Sequence, residues 1–141
     1  MSNEENKAVV RSAIDALNQK NWAALYDELT APDFVLHDAS TTIQGLEAYK
    51  EFISTFLTAF PDTHFTIEDV IAEGDTVVTR QTFRGTHAGD YGIPPTGKQV
   101  TVSAIDITRV SNGKRVEEWF NGDDLGLLQQ IGAIPTPGQA S

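Results

Sequence analysis

The 141-residue chain has no cysteine, which excludes a disulfide framework and a thiolate metal site and leaves the redox compartment open. Basic residues are scarce. Ten Lys and Arg stand against twenty Asp and Glu, a formal net charge of −10, and no local basic patch offsets a charge that repels phosphate backbones and anionic lipid. Neither nucleic acid nor a membrane surface is therefore an expected partner. Long apolar runs are missing as well: nothing approaches the ~18 residues of a membrane span, and the start, Met1-Ser2-Asn3-Glu4-Glu5, has no basic stretch followed by an apolar one. A soluble, cytoplasmic protein is expected. The three histidines, His37, His64 and His87, lack metal-ligand spacing, so no metal site is expected. What the chain does have is 40% hydrophobic residues in a length typical of one domain, enough to bury one core.

Ser2 followed by Glu5 is a capping-box signature, and Val10, Ala13, Ile14 and Leu17 recur at helical spacing, so a first helix is predicted over 3–19. Trp22, Leu25, Tyr26 and Leu29 predict a short second helix ended by Pro32. Leu46, Tyr49, Phe52, Ile53, Phe56 and Phe60 form the apolar stripe of a third, stopped by Pro61. From residue 63 the period changes to 2 and β-branched residues accumulate. A short strand near 34–38 and four antiparallel strands are predicted, with hairpin turns at Gly74-Asp75 and Asn112-Gly113. Gly89 to Gly97, with three glycines and two prolines, is a loop, expected to border a cavity mouth. Asp123 or Asp124 caps a last helix that Gly132 ends. Helices segregated from a run of antiparallel strands indicate an α+β architecture. It comprises one domain over residues 1–132 and a flexible tail over 133–141.

If Asn112-Gly113 is a two-residue type I′ turn, Ser111 pairs with Lys114 and opposed residues sum to 225. Asp106 then opposes Trp119, Ala104 opposes Asn121 and Val102 opposes Asp123, which places Asp106, Ala104, Trp119, Asn121 and Asp123 on one face. A carboxyl group in such an apolar setting resists ionisation and trades protons near neutrality. It can take a proton from beside a carbonyl or protonate an oxyanion, with no cofactor. The competing readings are structural: Asp123 as a helix cap, Asp106 as a backbone-satisfied acid. One of the pair His37 and Asp38, which point to opposite faces, lines the cavity. His87 shares strand parity with Val77, Thr79, Gln81 and Phe83 and faces inward just before the loop that carries Tyr91. Arg80 and Arg84 share the solvated face.

The string Phe83-Arg84-Gly85-Thr86-His87, then Gly89, then Gly92-Ile93-Pro94-Pro95-Thr96-Gly97-Lys98, is similar to the Gly-Thr-His and Pro-Pro-Thr-Gly segments of SnoaL-like polyketide cyclases. Asn112-Gly113-Lys114, Glu117-Glu118-Trp119, Asp123 and Leu125-Gly126-Leu127-Leu128-Gln129-Gln130-Ile131-Gly132 resemble that family's ending. The resemblance covers roughly residues 5 to 132 and implies the cone-shaped nuclear transport factor 2-like fold, in which three N-terminal helices pack on a curved, mostly antiparallel sheet. It also implies intramolecular aldol ring closure by acid–base catalysis without a cofactor. The family's key aspartate corresponds to Asp123, and Asp106 stands where the cyclases carry an assisting histidine. Catalytic candidates are thus Asp123, Asp106 and His87; ligand-lining candidates are His37, Asp38, Phe83, Tyr91, Ala104, Trp119 and Asn121. The implied ligand is a small hydrophobic polycyclic or keto compound. The segment Ala104-Ile105-Asp106 with Arg109, and Asp38, also resemble ketosteroid isomerases, whose oxyanion-binding tyrosine corresponds to Ala13. A non-catalytic ligand-binding module of the same fold is the rival from another class. Relatives of this fold pair through the outer sheet face, so a homodimer or homotetramer covering Ile105, Ile107 and Phe120 is expected.

Overall fold

The computed structural model describes residues 2–39 and 41–138. The chain begins with α1 (Asn3–Gln19), whose capping box closes as predicted: the Glu5 N–H donates to Ser2 Oγ and the Ser2 N–H to Glu5 Oε1. The short second helix forms at Ala23–Glu28 with π-helical spacing. Then come β1 (Thr30–Asp38), β2 (Thr41–Gln44) and α2 (Leu46–Ala59). Four long strands follow, β3 (His64–Glu73), β4 (Thr76–Thr86), β5 (Gln99–Ser111) and β6 (Lys114–Gly122), and α3 (Asp124–Gln130) ends the ordered elements. Residues 139–141, the end of the predicted tail, lie outside the described residues.

Among the described residues the strands form one sheet in the order β2-β1-β6-β5-β4-β3. The architecture is the α+β one expected, with three corrections. The first strand starts at Thr30 rather than 34. Proline has no N–H to give a ladder, and Pro32 fits because β1 and β6 are out of register between Thr30 and Val35. The edge strand β2 was not foreseen, nor was the parallel pairing of β1 with β6. Nothing in a strand's own pattern reveals which neighbour it meets.

The third correction decides the site. Asn112 and Gly113 have φ of 52° and 78°, the positive pair that a type I′ turn requires. Ser111 opposes Lys114 and Val110 opposes Arg115 as predicted. One residue further the register slips. Arg109 opposes Glu117, and from there Asp106 opposes Phe120, not Trp119, while Ala104 opposes Gly122. Val116 is the extra residue of a β-bulge. A one-residue slip exchanges the faces of everything beyond it, so Glu118, Phe120 and Gly122 turn inward while Glu117, Trp119 and Asn121 turn outward.

The inner face of β5 is the alternating set Val100, Val102, Ala104, Asp106, Thr108 and Val110, and β4 contributes Val77, Thr79, Gln81 and Phe83. Helices α1 and α2 cover this face. A cluster of Phe60, Phe83, Val100, Val102, Leu127 and Ile131 closes one end. Val9, Val10, Val77 and Val110 close the other. The Gly89–Gly97 loop is pinned to the end of α2, where the Ala88 and Gly89 N–H groups donate to Ala59 O.

Candidate functional site

Between the helices and the inner sheet face lies a cavity of about 200 Å³, lined by apolar side chains from α1, α2 and the strands together with four carboxylic residues, Asp38, Asp106, Glu118 and Asp124. These four form two tiers: Asp106 and Glu118 at depth, Asp38 and Asp124 toward the opening.

The deep tier is a product of the bulge. In a regular strand residues three apart point to opposite faces, but the extra Val116 turns both Arg115 and Glu118 inward, where Arg115 Nη1 donates to Glu118 Oε1 at 3.2 Å. Arg115 is 5% exposed. Its Nη2 donates to Thr30 Oγ1 at 2.7 Å and to Tyr49 Oη at 3.2 Å. Its guanidinium lies 4.9 Å from the Phe34 ring centroid and 5.3 Å from that of Tyr49, which favours a weakly hydrated cation. The buried charge is thus held by one carboxylate, two hydroxyls and two ring faces.

Asp106 is 1% exposed. Its Oδ1 accepts from Thr108 Oγ1 at 2.7 Å, while its Oδ2 meets no N–H or hydroxyl donor among the described residues. Its electrostatic partner is the carboxyl group of Glu118. Two carboxylates side by side repel unless one takes up a proton, and the Arg115 guanidinium pairs with Glu118. Burial first, then the charge of Glu118, pushes Asp106 well above the usual carboxylate range. Of the two carboxyl groups, Asp106 is the one whose surroundings favour the protonated, uncharged form.

At the mouth, burial followed by the charge of Asp124 raises Asp38, and burial followed by the charge of Asp123 raises Asp124. Tyr91, from the Gly-rich loop, lines the same opening, raised by burial and then by Asp124 and Asp38. The loop thus borders the cavity. Tyr91 packs edge-on to Phe60 at 5.3 Å and to Phe56 at 6.3 Å.

Of the residues singled out from the sequence, the cavity gathers Asp106, Asp38, Phe83, Tyr91 and Ala104. Asp123, His37, His87, Trp119 and Asn121 are not on its wall. Asp123 is the N-cap of α3, its Oδ1 accepting from the Gly126 N–H at 2.9 Å. Trp119 and His37 stack on the outer face at 5.1 Å, and His37 Nε2 contacts Glu117 Oε2 at 2.8 Å. Asn121 is exposed. His87 is buried, but as an anchor of the loop: Nδ1 accepts from the Thr96 N–H at 3.2 Å, so the ring hydrogen sits on Nε2, which has no partner among the described residues. Phe120, expected on the outer face, lines the cavity.

Glu118, Arg115, Tyr49 and Asp124 were missed. Glu118 falls on the outer face at ordinary strand parity, Arg115 shares the inner face with Val110 in the predicted register but a charge there is unexpected, and Asp124 was hidden by its neighbour. Among the described residues no group of three or more His, Asp or Glu is placed as metal ligands would be.

The profile of SnoaL-like polyketide cyclases matches residues 7–131. No curated protein matches significantly. Among solved structures, a candidate SnoaL-like polyketide cyclase from Jannaschia sp. CCS1 is 26% identical with a TM-score of 0.87, over 94% of this chain and 95% of that one. A candidate polyketide cyclase from Acidithiobacillus ferrooxidans is 32% identical (TM-score 0.79; 93% and 97% covered). AclR from Streptomyces galilaeus, a candidate hydroxylase, is 27% identical (TM-score 0.86; 98% and 87% covered). These neighbours share the α+β cone fold implied by the sequence, and the chain belongs to the SnoaL-like polyketide cyclase family.

Proposed function

We propose that the protein is an acid–base enzyme that acts without metal or organic cofactor on a hydrophobic carbonyl compound, closing a ring by intramolecular aldol addition. The observation that supports this reading is Asp106, 1% exposed on the wall of a largely apolar cavity, where burial and then the charge of Glu118 favour its protonated form. A neutral carboxyl at depth donates to a carbonyl oxygen and stabilises the charge that develops there. A carboxylate at the mouth breaks the adjacent C–H bond and takes its proton. The C–H electron pair becomes an enolate whose oxygen is held by Asp106. The enolate carbon then attacks a second carbonyl of the same molecule, a C–C bond forms, and the new alkoxide recovers the proton from the mouth carboxyl. No atom is gained or lost.

A second reading, ketosteroid isomerase-like proton transfer, is favoured by Asp38 and Asp106 lining one cavity. It lacks a hydroxyl at Ala13, which is buried on the same wall. Self-association belongs to the proposal too. Ile71, Ile105 and Ile107 are 65%, 46% and 37% exposed on the outer sheet face, a patch that pairing of two sheets would cover.

The acid–base reading is tested with 2-tetralone, whose α-protons exchange with D₂O on enolisation, followed by NMR. The protein should accelerate exchange, and Asp106→Ala should reduce the acceleration ~10²–10³-fold, the usual loss of an oxyanion donor. Thermal stabilisation by 2-tetralone with no exchange would instead identify a binding module.

A further inference from the structure

The sequence resemblance makes Asp123 the counterpart of the family's key aspartate, yet Asp123 and Asp124 are placed very differently. We propose that Asp124 is the carboxylate that meets the ligand and that Asp123 is a positioning residue that holds it at the cavity.

Both functional groups of Asp123 are committed to the helix start. Its carbonyl accepts from the Leu127 N–H at 3.0 Å and its Oδ1 from the Gly126 N–H at 2.9 Å. A Cβ built on Gly126 would lie 2.1 Å from Asp123 Oδ2 and 2.7 Å from its Cγ. The carboxylate therefore fills space that only glycine leaves at that position, flat against the first turn of α3. Its backbone is tied to the sheet as well, the Asp123 N–H donating to Ser103 O at 3.0 Å. Gln130 pins the far end of α3, exchanging hydrogen bonds of 2.8 and 2.9 Å with the backbone of Thr101.

Asp124 is the first residue of α3, and the orientation set by this cap swings it onto the cavity wall. A Cβ on Gly122 would lie 3.7 Å from Asp124 Oδ1 and 3.1 Å from the Phe120 ring. Gly122 thus opens a shelf above the inner sheet face that the carboxylate and the ring share. The groups facing Asp124 are Asp38 from β1, Tyr91 from the loop and Asp123 on its own element, with the Asp106–Glu118 pair deeper in the same chamber. The cation that lines the chamber, Arg115, lies with the deep pair, where Glu118 holds it. Burial and surrounding negative charge raise Asp124, so it is a stronger base than a solvated aspartate while remaining at the opening. Asp106, whose Oδ2 lacks an N–H or hydroxyl donor and whose residue is nearly fully buried, lines the same space. A molecule in the cavity is therefore offered a base at the mouth and an acid at depth.

This inference rests on the acid–base reading, and two readouts separate their failures. In the 2-tetralone exchange assay, Asp124→Asn should lower the accelerated rate by at least ~10²-fold, the usual loss of a positioned base. Asp123→Asn should stay within about threefold of wild type, because asparagine caps about as well as aspartate. Asp123→Ala should lower both thermal stability and rate, and Asp123→Ser should recover both by restoring the cap. A ~10²-fold loss in a folded Asp123→Asn or Asp38→Asn protein, with Asp124→Asn near wild type, overturns the assignment.

The second readout needs no turnover. On addition of 2-naphthol as an enolate-like probe, the carboxyl ¹³C resonance and titration of Asp124 should move while those of Asp123 stay. Movement of Asp123 alone, or of neither, overturns the proposal. Absence of tetralone exchange in wild type, with Asp124 still responding to 2-naphthol, removes the acid–base reading and leaves Asp124 as the ligand-contacting carboxylate.

Discussion

Exchanging Asp106 for asparagine should change how stability depends on pH. Asparagine keeps the shape, accepts from the Thr108 hydroxyl as Oδ1 does now, and offers its NH₂ to Glu118 where the acid offers a proton. Wild type folds with Asp106 protonated, because burial and then Glu118 raise it. Above the ordinary carboxylate range the unfolded chain has released that proton and folding must recapture it. Stability from this group is full below the unfolded value and declines as pH rises, until Asp106 ionises in the folded state. One proton corresponds to ~1.4 kcal/mol per pH unit. Wild type therefore loses stability at up to that slope between about pH 5 and about pH 7, for as long as the folded protein holds the proton. Asparagine needs no proton and loses none of this. The contributions of Asp38, Asp124 and Glu117 are common to both proteins and cancel in the comparison. Urea titrations followed by circular dichroism at both pH values give the four free energies. The advantage of Asp106→Asn over wild type should be larger at the higher pH, growing by up to ~1.4 kcal/mol per pH unit. Parallel stabilities at the two pH values would show that Asp106 folds ionised, and the reasoning about the deep tier would fall with it.

Arg115→Met should cost ~3–5 kcal/mol in a urea titration, because it leaves Glu118 buried without its cation. The double variant with Glu118→Gln should recover part of that loss, and a cost below ~1 kcal/mol would contradict the buried ion pair. Gly89→Ala should destabilise by ~1–3 kcal/mol, since its Cβ would lie 2.0 Å from the Thr58 carbonyl oxygen; amide exchange at Ala88 and Gly89 should accelerate, and unchanged protection would refute the close approach. Ile107→Glu should convert a self-associated protein to monomer in sedimentation, whereas a wild type that sediments as a monomer at every concentration would remove the outer-face pairing.

The elements were legible because their causes are local. Ser2 and Glu5 announce the start of α1, Asn112 and Gly113 tolerate the positive φ of a tight turn, and the alternation from Val100 to Val110 marks one buried face. The family was legible because its motifs lie in uninterrupted stretches of chain. Asp106 was placed inward on parity alone, and that parity held because β5 runs regularly from Gln99 to Ser111. The face of β6 was decided only in three dimensions. A bulge at Val116 depends on how β6 is paired to β5 on one side and to β1 on the other, and no residue pattern within the strand records it. That single extra residue brought Glu118 into the core beside Arg115 and Asp106 and sent Trp119 outward to stack on His37. The choice between Asp123 and Asp124 was likewise tertiary: either residue can cap a helix, and the direction in which α3 leaves β6 determines which carboxylate is spent on the cap and which faces the cavity.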